Sequence, residues 1–255
     1  WQTDMCAGTV YMMLALDDFP NRKPWLYNAL AVLKAQLELN VNPDRSWPES
    51  IRYHHAALER FAGIAKVLLN VTGDDWFRTT PLARMFGFSI EMQTPGDAYF
   101  GDRIGTPPFG DHALGDGGEF GSFAAYFSDV ANVDRQLADR MFRTWQNAGR
   151  PFKKLWGEGV VLENIMSACD DYEPAAPLNL TSTRAFPNAG IYVFRNCYGT
   201  PEESYFAIMS SPEPIAHGHL DQGSFVLYKN KVPLVMDSGI EGYFDSSTRW
   251  HISAY

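Results

Sequence analysis

Residues 216–237 read AHGHLDQGSFVLYKNKVPLVMD, and the second part of this run decides the fold class. Two apolar runs of strand length, Gly223 to Tyr228 and Val232 to Asp237, flank Asn230-Lys231, where a tight hairpin turn would join them. Two more strand-like stretches precede them, Gly190 to Arg195 and Ser204 to Met209, so the chain after Phe186 reads as an antiparallel sheet. Before Phe186 the period changes from two to between three and four. Trp25, Leu26, Ala29, Leu30, Leu33 and Leu37 recur at helical spacing, as do Ile51, His55, Leu58, Ala62, Ala65 and Leu69. Further helices are predicted from about Pro81 to Met92 and from about Val130 to Trp145, with Gly149 as a stop signal. Between these two lies an irregular, glycine-rich loop from Thr94 to Gly121, a candidate cleft wall because long loops in compact domains are disproportionately functional. Helices first and strands afterwards make the fold class α+β, with residues 1–185 helical and residues 186–255 the start of a sheet domain.

The first part of the run carries chemistry. In an extended segment alternate side chains share a face, so His217, His219 and Asp221 can point the same way, with Gly218 leaving room beside them. Imidazole and carboxylate are common zinc ligands, and histidine is the side chain whose ordinary pKa lies nearest neutrality. The segment therefore points to a metal or proton-transfer site. A pair of histidines hydrogen-bonded at the end of a strand is the alternative.

At 255 residues, 45% hydrophobic and 14% aromatic, the chain can bury a large core. A formal charge of −9 argues against a general nucleic-acid binder, which needs a phosphate-neutralising basic surface. An acidic polymer is compatible with that charge, since a local basic cleft can sit in an acidic protein. Cys6, Cys169 and Cys197 are too few and too scattered for a disulfide framework or a cysteine-rich zinc module. No stretch approaches the roughly 20 apolar residues of a membrane span, and no signal-peptide succession is present. Starting at Trp1 and stopping at Tyr255 inside an unfinished β region, the chain reads as an excerpt of a longer protein. There is no internal repeat and no glycine-rich phosphate loop at a strand-to-helix junction, so nucleotide chemistry is not expected.

Three clusters in the helical half bear on the site. Glu49, Arg52 and Tyr53 lie within one turn at the start of the second helix and can present an acid, a cation and a phenol; Ser46 and Glu49 with Pro48 also fit a capping box. Tyr99 and Arg103, at the head of the irregular loop, can set a phenol beside a guanidinium that lowers its pKa. His112, in Phe109-Gly110-Asp111-His112, either helps the site or bonds to its own backbone.

Together these segments resemble the heparinase II/III-like polysaccharide lyases. The resemblance rests on His217-Gly218-His219-x-Asp221-x-Gly223-Ser224-Phe225, on the spacing of eighteen from His219 to Asp237, on the Pro48-Glu49-Ser50 helix start, and on Tyr99 and Arg103 some fifty residues after Glu49. It implies a partial (α/α) toroid followed by a truncated antiparallel β-sandwich domain. It also implies that Tyr99 is the catalytic tyrosine, that Arg103 assists it or holds substrate, and that His217 reaches from the sheet domain into the cleft. Glu49 matches a cleft glutamate that would contact a uronate carboxyl group. His219 and Asp237 look like two ligands of a structural zinc (Zn2+), with a further histidine expected beyond Tyr255 or replaced by His251. Many relatives carry Asn or His just before the glutamate to neutralise the substrate carboxylate, whereas this chain has Ser46 and Trp47. That task would then fall to protonated Glu49, Arg52, Arg103, His54 or His55, with Tyr53, His54 and His112 among the substrate-binding candidates.

The implied activity is β-elimination from an acidic, uronate-containing polysaccharide, with glycosaminoglycan favoured over alginate, in a secreted or periplasmic setting. Two alternatives stand beside it: a glycan-binding protein of the same fold without catalysis, and a zinc hydrolase holding its metal with His217, His219 and Asp237. The second lacks the His-Glu-x-x-His helix that usually accompanies such chemistry. Nothing in the sequence reports the oligomeric state.

Overall fold

The computed structural model describes residues 1–97, 101–112, 119–152, 168, 171–211 and 216–240. Among these, α1 (Gln2–Ala15), α2 (Arg22–Asn40), α3 (Ile51–Thr72), α4 (Trp76–Thr79), α5 (Leu82–Met92), α6 (Phe123–Ala131) and α7 (Arg135–Asn147) precede β1 (Thr183–Phe186), β2 (Ile191–Asn196), β3 (Ser204–Met209), β4 (Phe225–Lys229) and β5 (Val232–Val235). The fold is α+β. The helix expected over 130–145 is found as α7, starting later, at Arg135. Asp134 caps it by accepting from the Leu137 amide, and the chain turns at Asn132 and Val133 between α6 and α7. Three helices escape the periodicity reading: apolar side chains are spread around α1, α4 is a single turn, and α6 lies just beyond a glycine-rich stretch. α3 is the central element, contacting α1, α4, α5 and α6. It buries Leu58, Phe61, Ile64, Ala65 and Leu68 against aromatic residues of α4 to α6 such as Trp76, Phe86 and Phe123. No helix among the described residues is long and apolar enough to cross a membrane.

The strands form one antiparallel sheet in the order β1-β2-β3-β4-β5. The expected turn closes β4 on β5, with Asn230 and Lys231 both at positive φ (53° and 62°), the geometry whose twist matches flanking strands. Period-two alternation puts Ile191, Val193, Tyr205, Ala207, Met209, Val226 and Tyr228 on one buried face, and this face packs on Ile51, Phe88, Met92 and Phe109 of the helical half. Sheet and helices therefore share a core.

Polar contacts fasten the same junction. Arg195, buried on that inner face, donates to the Gln93 carbonyl at 2.9 Å and to the Glu91 carbonyl, while the Glu91 side chain bonds Arg140 and the Thr181 hydroxyl. The Asn188 amide at the β1–β2 turn donates to Asp44 at 2.7 Å, and Tyr205 donates to the Met92 carbonyl at 3.1 Å. A buried charge survives where hydrogen bonds replace its water, so this network fixes how the sheet sits on α5 and α7.

Candidate active site

The site begins at the entry to α3. Ser46 and Glu49 do not form the expected capping box: the helix starts at Ile51 with Ser50 at the cap, and the Ser46 hydroxyl donates to Asp44 at 2.6 Å. His54 holds this entry from inside, its Nδ1 accepting the Trp47 amide at 3.1 Å and its Nε2–H donating to the Met85 carbonyl at 3.1 Å. Freed from capping, Glu49 is set by the Trp47 indole N–H, which donates to Oε2 at 2.7 Å. The second carboxylate oxygen of Glu49 stays on the cleft side.

The sheet domain delivers its histidine to the same place. Segment 216–221 is not an extended strand, as alternation suggested. His217 lies in the left-handed region with φ 54°, which disfavours most L side chains but tolerates histidine better than most. Ala216 pairs with Glu49 in an isolated parallel bridge, and the Ser50 amide donates to the Ala216 carbonyl at 3.2 Å. On the other side, the Asp111 amide donates to the His217 carbonyl at 2.9 Å, and the Gly110 amide donates to the Asp221 carboxylate at 2.6 Å. The 216–221 segment is thus wedged between α3 and the long loop.

Gly110 makes that wedge possible. Its φ is +69°, and a Cβ there would lie 2.7 Å from the His217 carbonyl oxygen and 2.9 Å from the Ser50 Cβ. Gly110→Ala therefore meets both left-handed strain of about 1–2 kcal/mol and a clash with backbone. The expected result is a lowered urea midpoint together with loss of any activity that depends on His217. An unchanged midpoint would contradict this packing.

Around His217 the geometry is specific. Its ring stacks on Tyr53 with centroids 3.6 Å apart and planes 9° from parallel. Nδ1 lies 3.2 Å from Asp111 Oδ2, and Nε2 lies 3.9 Å from Glu49 Oε1. The other Asp111 oxygen meets His219 Nε2 at 3.0 Å, a bond that with the neighbouring Asp221 and Asp237 charges raises the His219 pKa against its burial. Burial pushes the Asp221 carboxyl pKa up. Glu49, Tyr53 and His217 open on a cleft of about 270 Å³ that runs along α3 past Ala56 and Ala57 to Arg60, whose guanidinium bonds Asp4 at 2.6 Å. An acid, a phenol and an imidazole thus face one groove of a size suited to a small ligand.

Residues 179–253 match the family model described as heparinase II/III-like, C-terminal. The fold of the chain is also similar to that of solved structures. One is heparinase III, with a TM-score of 0.68 and 16% identity over 99% of this chain and 36% of that one. Another is heparan sulfate lyase HepC from Pedobacter heparinus, with a TM-score of 0.62 and 19% identity over 98% of this chain and 34% of that one. At such identities the likeness is one of fold, and the chain spans about a third of those proteins' length. A search of curated protein sequences finds no match.

Of the residues singled out from sequence, the fold brings Glu49, Tyr53 and His217 together at the cleft. Tyr99 and His251 lie outside the described residues. Arg103 is exposed and pairs through its backbone with Asp97, and no described contact joins it to His217. Four candidates need correcting. His54 is fully buried with both ring nitrogens committed to the backbone, so it does not meet substrate. His112 is equally buried, its Nε2 sharing a hydrogen with the Thr106 hydroxyl at 2.7 Å. Arg52 is 9% exposed, lies near enough to His112 to depress its pKa, and is not among the cleft-lining side chains. His55, also considered for carboxylate neutralisation, is buried with its pKa lowered to about 4. Asp111 is the residue sequence reasoning missed. The signal was there in Gly110-Asp111, an acid directly after a glycine in the long loop, but attention fell on the histidine beside it.

His219 and Asp237, the two zinc ligands that the resemblance implies, are close enough for the Asp237 charge to raise the His219 pKa. His219 Nε2 is engaged by Asp111, however, and the Asp237 carboxylate accepts from the Ser224 hydroxyl and, at 2.8 Å, from the Gly239 amide. Among the described residues no three metal-binding side chains converge, so these residues alone do not complete a zinc site and no chemical step is assigned to one.

Proposed function

We propose that this chain forms part of a lyase that cleaves uronate-containing polysaccharide by β-elimination, with a glycosaminoglycan favoured over alginate as substrate. The observation that supports it most is His217, carried by the sheet domain yet stacked on Tyr53 and facing Glu49 in a cleft along α3. In a 4-O-linked uronate the C5 proton is weakly acidic, because removing it places charge on the neighbouring carboxylate. The base takes the C5 proton, the C4–O bond breaks as C4=C5 forms, and the departing oxygen receives a proton. Tyr99 serves as base and then acid, or Tyr99 donates while His217 is the base, according to whether proton and leaving group share a face of the ring. With Arg52, His54 and His55 buried, the work of neutralising the uronate carboxylate passes to Glu49 in its protonated form or to Arg103. A zinc ion, where bound, would brace the sheet domain through His219 and Asp237 with a third donor such as His251. The setting proposed is extracellular or periplasmic, where such polymers occur.

Incubation with heparan sulfate, chondroitin sulfate, hyaluronan and alginate tests this directly. An ultraviolet-absorbing unsaturated product from at least one uronate polymer is expected. Silence across the panel would overturn the proposal.

One observation favours a second reading, glycan binding without turnover. Before the cleft glutamate, where many relatives carry Asn or His, this chain has Ser46 and Trp47, both buried, with Ser46 bonded to Asp44. Retention of a polymer with no unsaturated product would identify that case.

A further inference from the structure

We infer that Asp111 is the positioning residue that fixes the tautomer of His217, holding the proton on Nδ1 and leaving the Nε2 lone pair at the cleft. This rests on the reading of His217 as the imidazole that handles a proton there. The argument starts from what a carboxylate can do. It has acceptor lone pairs and no hydrogen to give, so the His217 nitrogen that meets Asp111 Oδ2 at 3.2 Å must be the one carrying hydrogen. In a neutral imidazole only one nitrogen does so, and Nε2, on the side of Glu49 at 3.9 Å, is left as acceptor.

Two further contacts make the arrangement rigid. Asp111 is held in place by its own amide, which donates to the His217 carbonyl at 2.9 Å. The stack on Tyr53, with planes 9° apart, holds the ring plane, and the Nδ1 contact with Asp111 selects between its two flips. Asp111 is itself only slightly accessible, with its side chain 14% exposed, so water competes poorly for these bonds. A carboxylate behind an imidazole that faces a cleft is a device for orientation: it selects which nitrogen works, and it touches no substrate. The sheet domain supplies the imidazole and the helical half supplies its orienting acid.

The test reads the tautomer and the turnover separately. Nitrogen-15 NMR of the ring of His217 in the whole chain, assigned by the loss of its signals in His217→Asn, is expected to show hydrogen on Nδ1. In Asp111→Ala the hydrogen should redistribute toward Nε2, and kcat should fall by about 10²-fold with KM changed little. Asp111→Asn can present its amide N–H to Nδ1, so it should move the hydrogen to Nε2 and lower kcat at least as far as Asp111→Ala. Hydrogen on Nε2 in the unmodified chain overturns the inference, whatever the variants do. So does an unchanged tautomer in Asp111→Ala, or an Asp111→Asn variant that keeps full kcat. If no unsaturated product forms at all, the lyase proposal fails, while the ring-nitrogen signals still decide the role of Asp111.

Discussion

Replacing His217 by Asn is expected to reduce formation of unsaturated product by about 10²- to 10⁴-fold, the range that one positioned acid or base contributes. Asparagine suits the test because it accepts the left-handed backbone that His217 adopts at φ 54°, so the turn between Ala216 and Gly218 need not move. An asparagine amide can also still donate to Asp111, which keeps the loop contact near its present form. What it lacks is a basic nitrogen at the cleft. Turnover should therefore collapse while the thermal midpoint stays within a few degrees and polymer binding persists. If His217→Asn turns over normally, the imidazole is only a platform for Tyr53. If the variant unfolds, the test passes to the ring-nitrogen signals of the unmodified chain.

Stability should fall steeply with acid. His54, His55 and His112 are all buried, and burial lowers the pKa of each, with His55 brought to about 4. His54 already spends both nitrogens on the backbone, and around His112 burial and the charges of Arg52 and His55 outweigh the Glu119 carboxylate 3.7 Å from its Nε2. The unfolded chain takes up protons near pH 6.5 and the folded chain does not, so between those values the unfolded state binds more protons and stability rises with pH. Read downward, His55 alone removes about 2 kcal/mol by pH 5, and His54 and His112 add losses of the same sign. His219 works the other way, because its pKa is raised in the fold; its contribution is present at low pH and is lost as pH rises. Its contribution opposes theirs. Urea midpoints measured from pH 7 to pH 5 should decline by an amount equivalent to at least about 2 kcal/mol. A flat profile would mean that these three imidazoles reach solvent.

The α+β order, the hairpin at Asn230-Lys231 and the helices around residues 22–40, 51–72 and 82–92 were legible because each follows from local periodicity or turn chemistry. The helix expected over 130–145 begins at Arg135 instead, since Asp134 caps it inside an apolar pattern and periodicity does not register the break. The site was legible in part for the same reason. The His217 motif and Glu49 stand out by composition, but their meeting depends on a parallel bridge between Ala216 and Glu49, 167 residues apart in the chain, which no local signal encodes. Histidines 54, 55 and 112 misled because their residue type suggests chemistry, whereas burial between helices makes them structural. Asp111 was passed over because its role is defined by two partners more than 100 residues away.

The core that Ile51, Phe88, Met92 and Phe109 share with the inner face of the sheet carries a consequence for engineering. Modular exchange at this seam is ruled out in practice: grafting a foreign strand region onto these helices would transplant an imidazole without its matched acid at 111 or the bare backbone at 110 that admits it. A viable chimera must carry residues 106–112 along with residues 183–240, so the inheritable unit is discontinuous, cutting across the boundary that a reader of the sequence would draw.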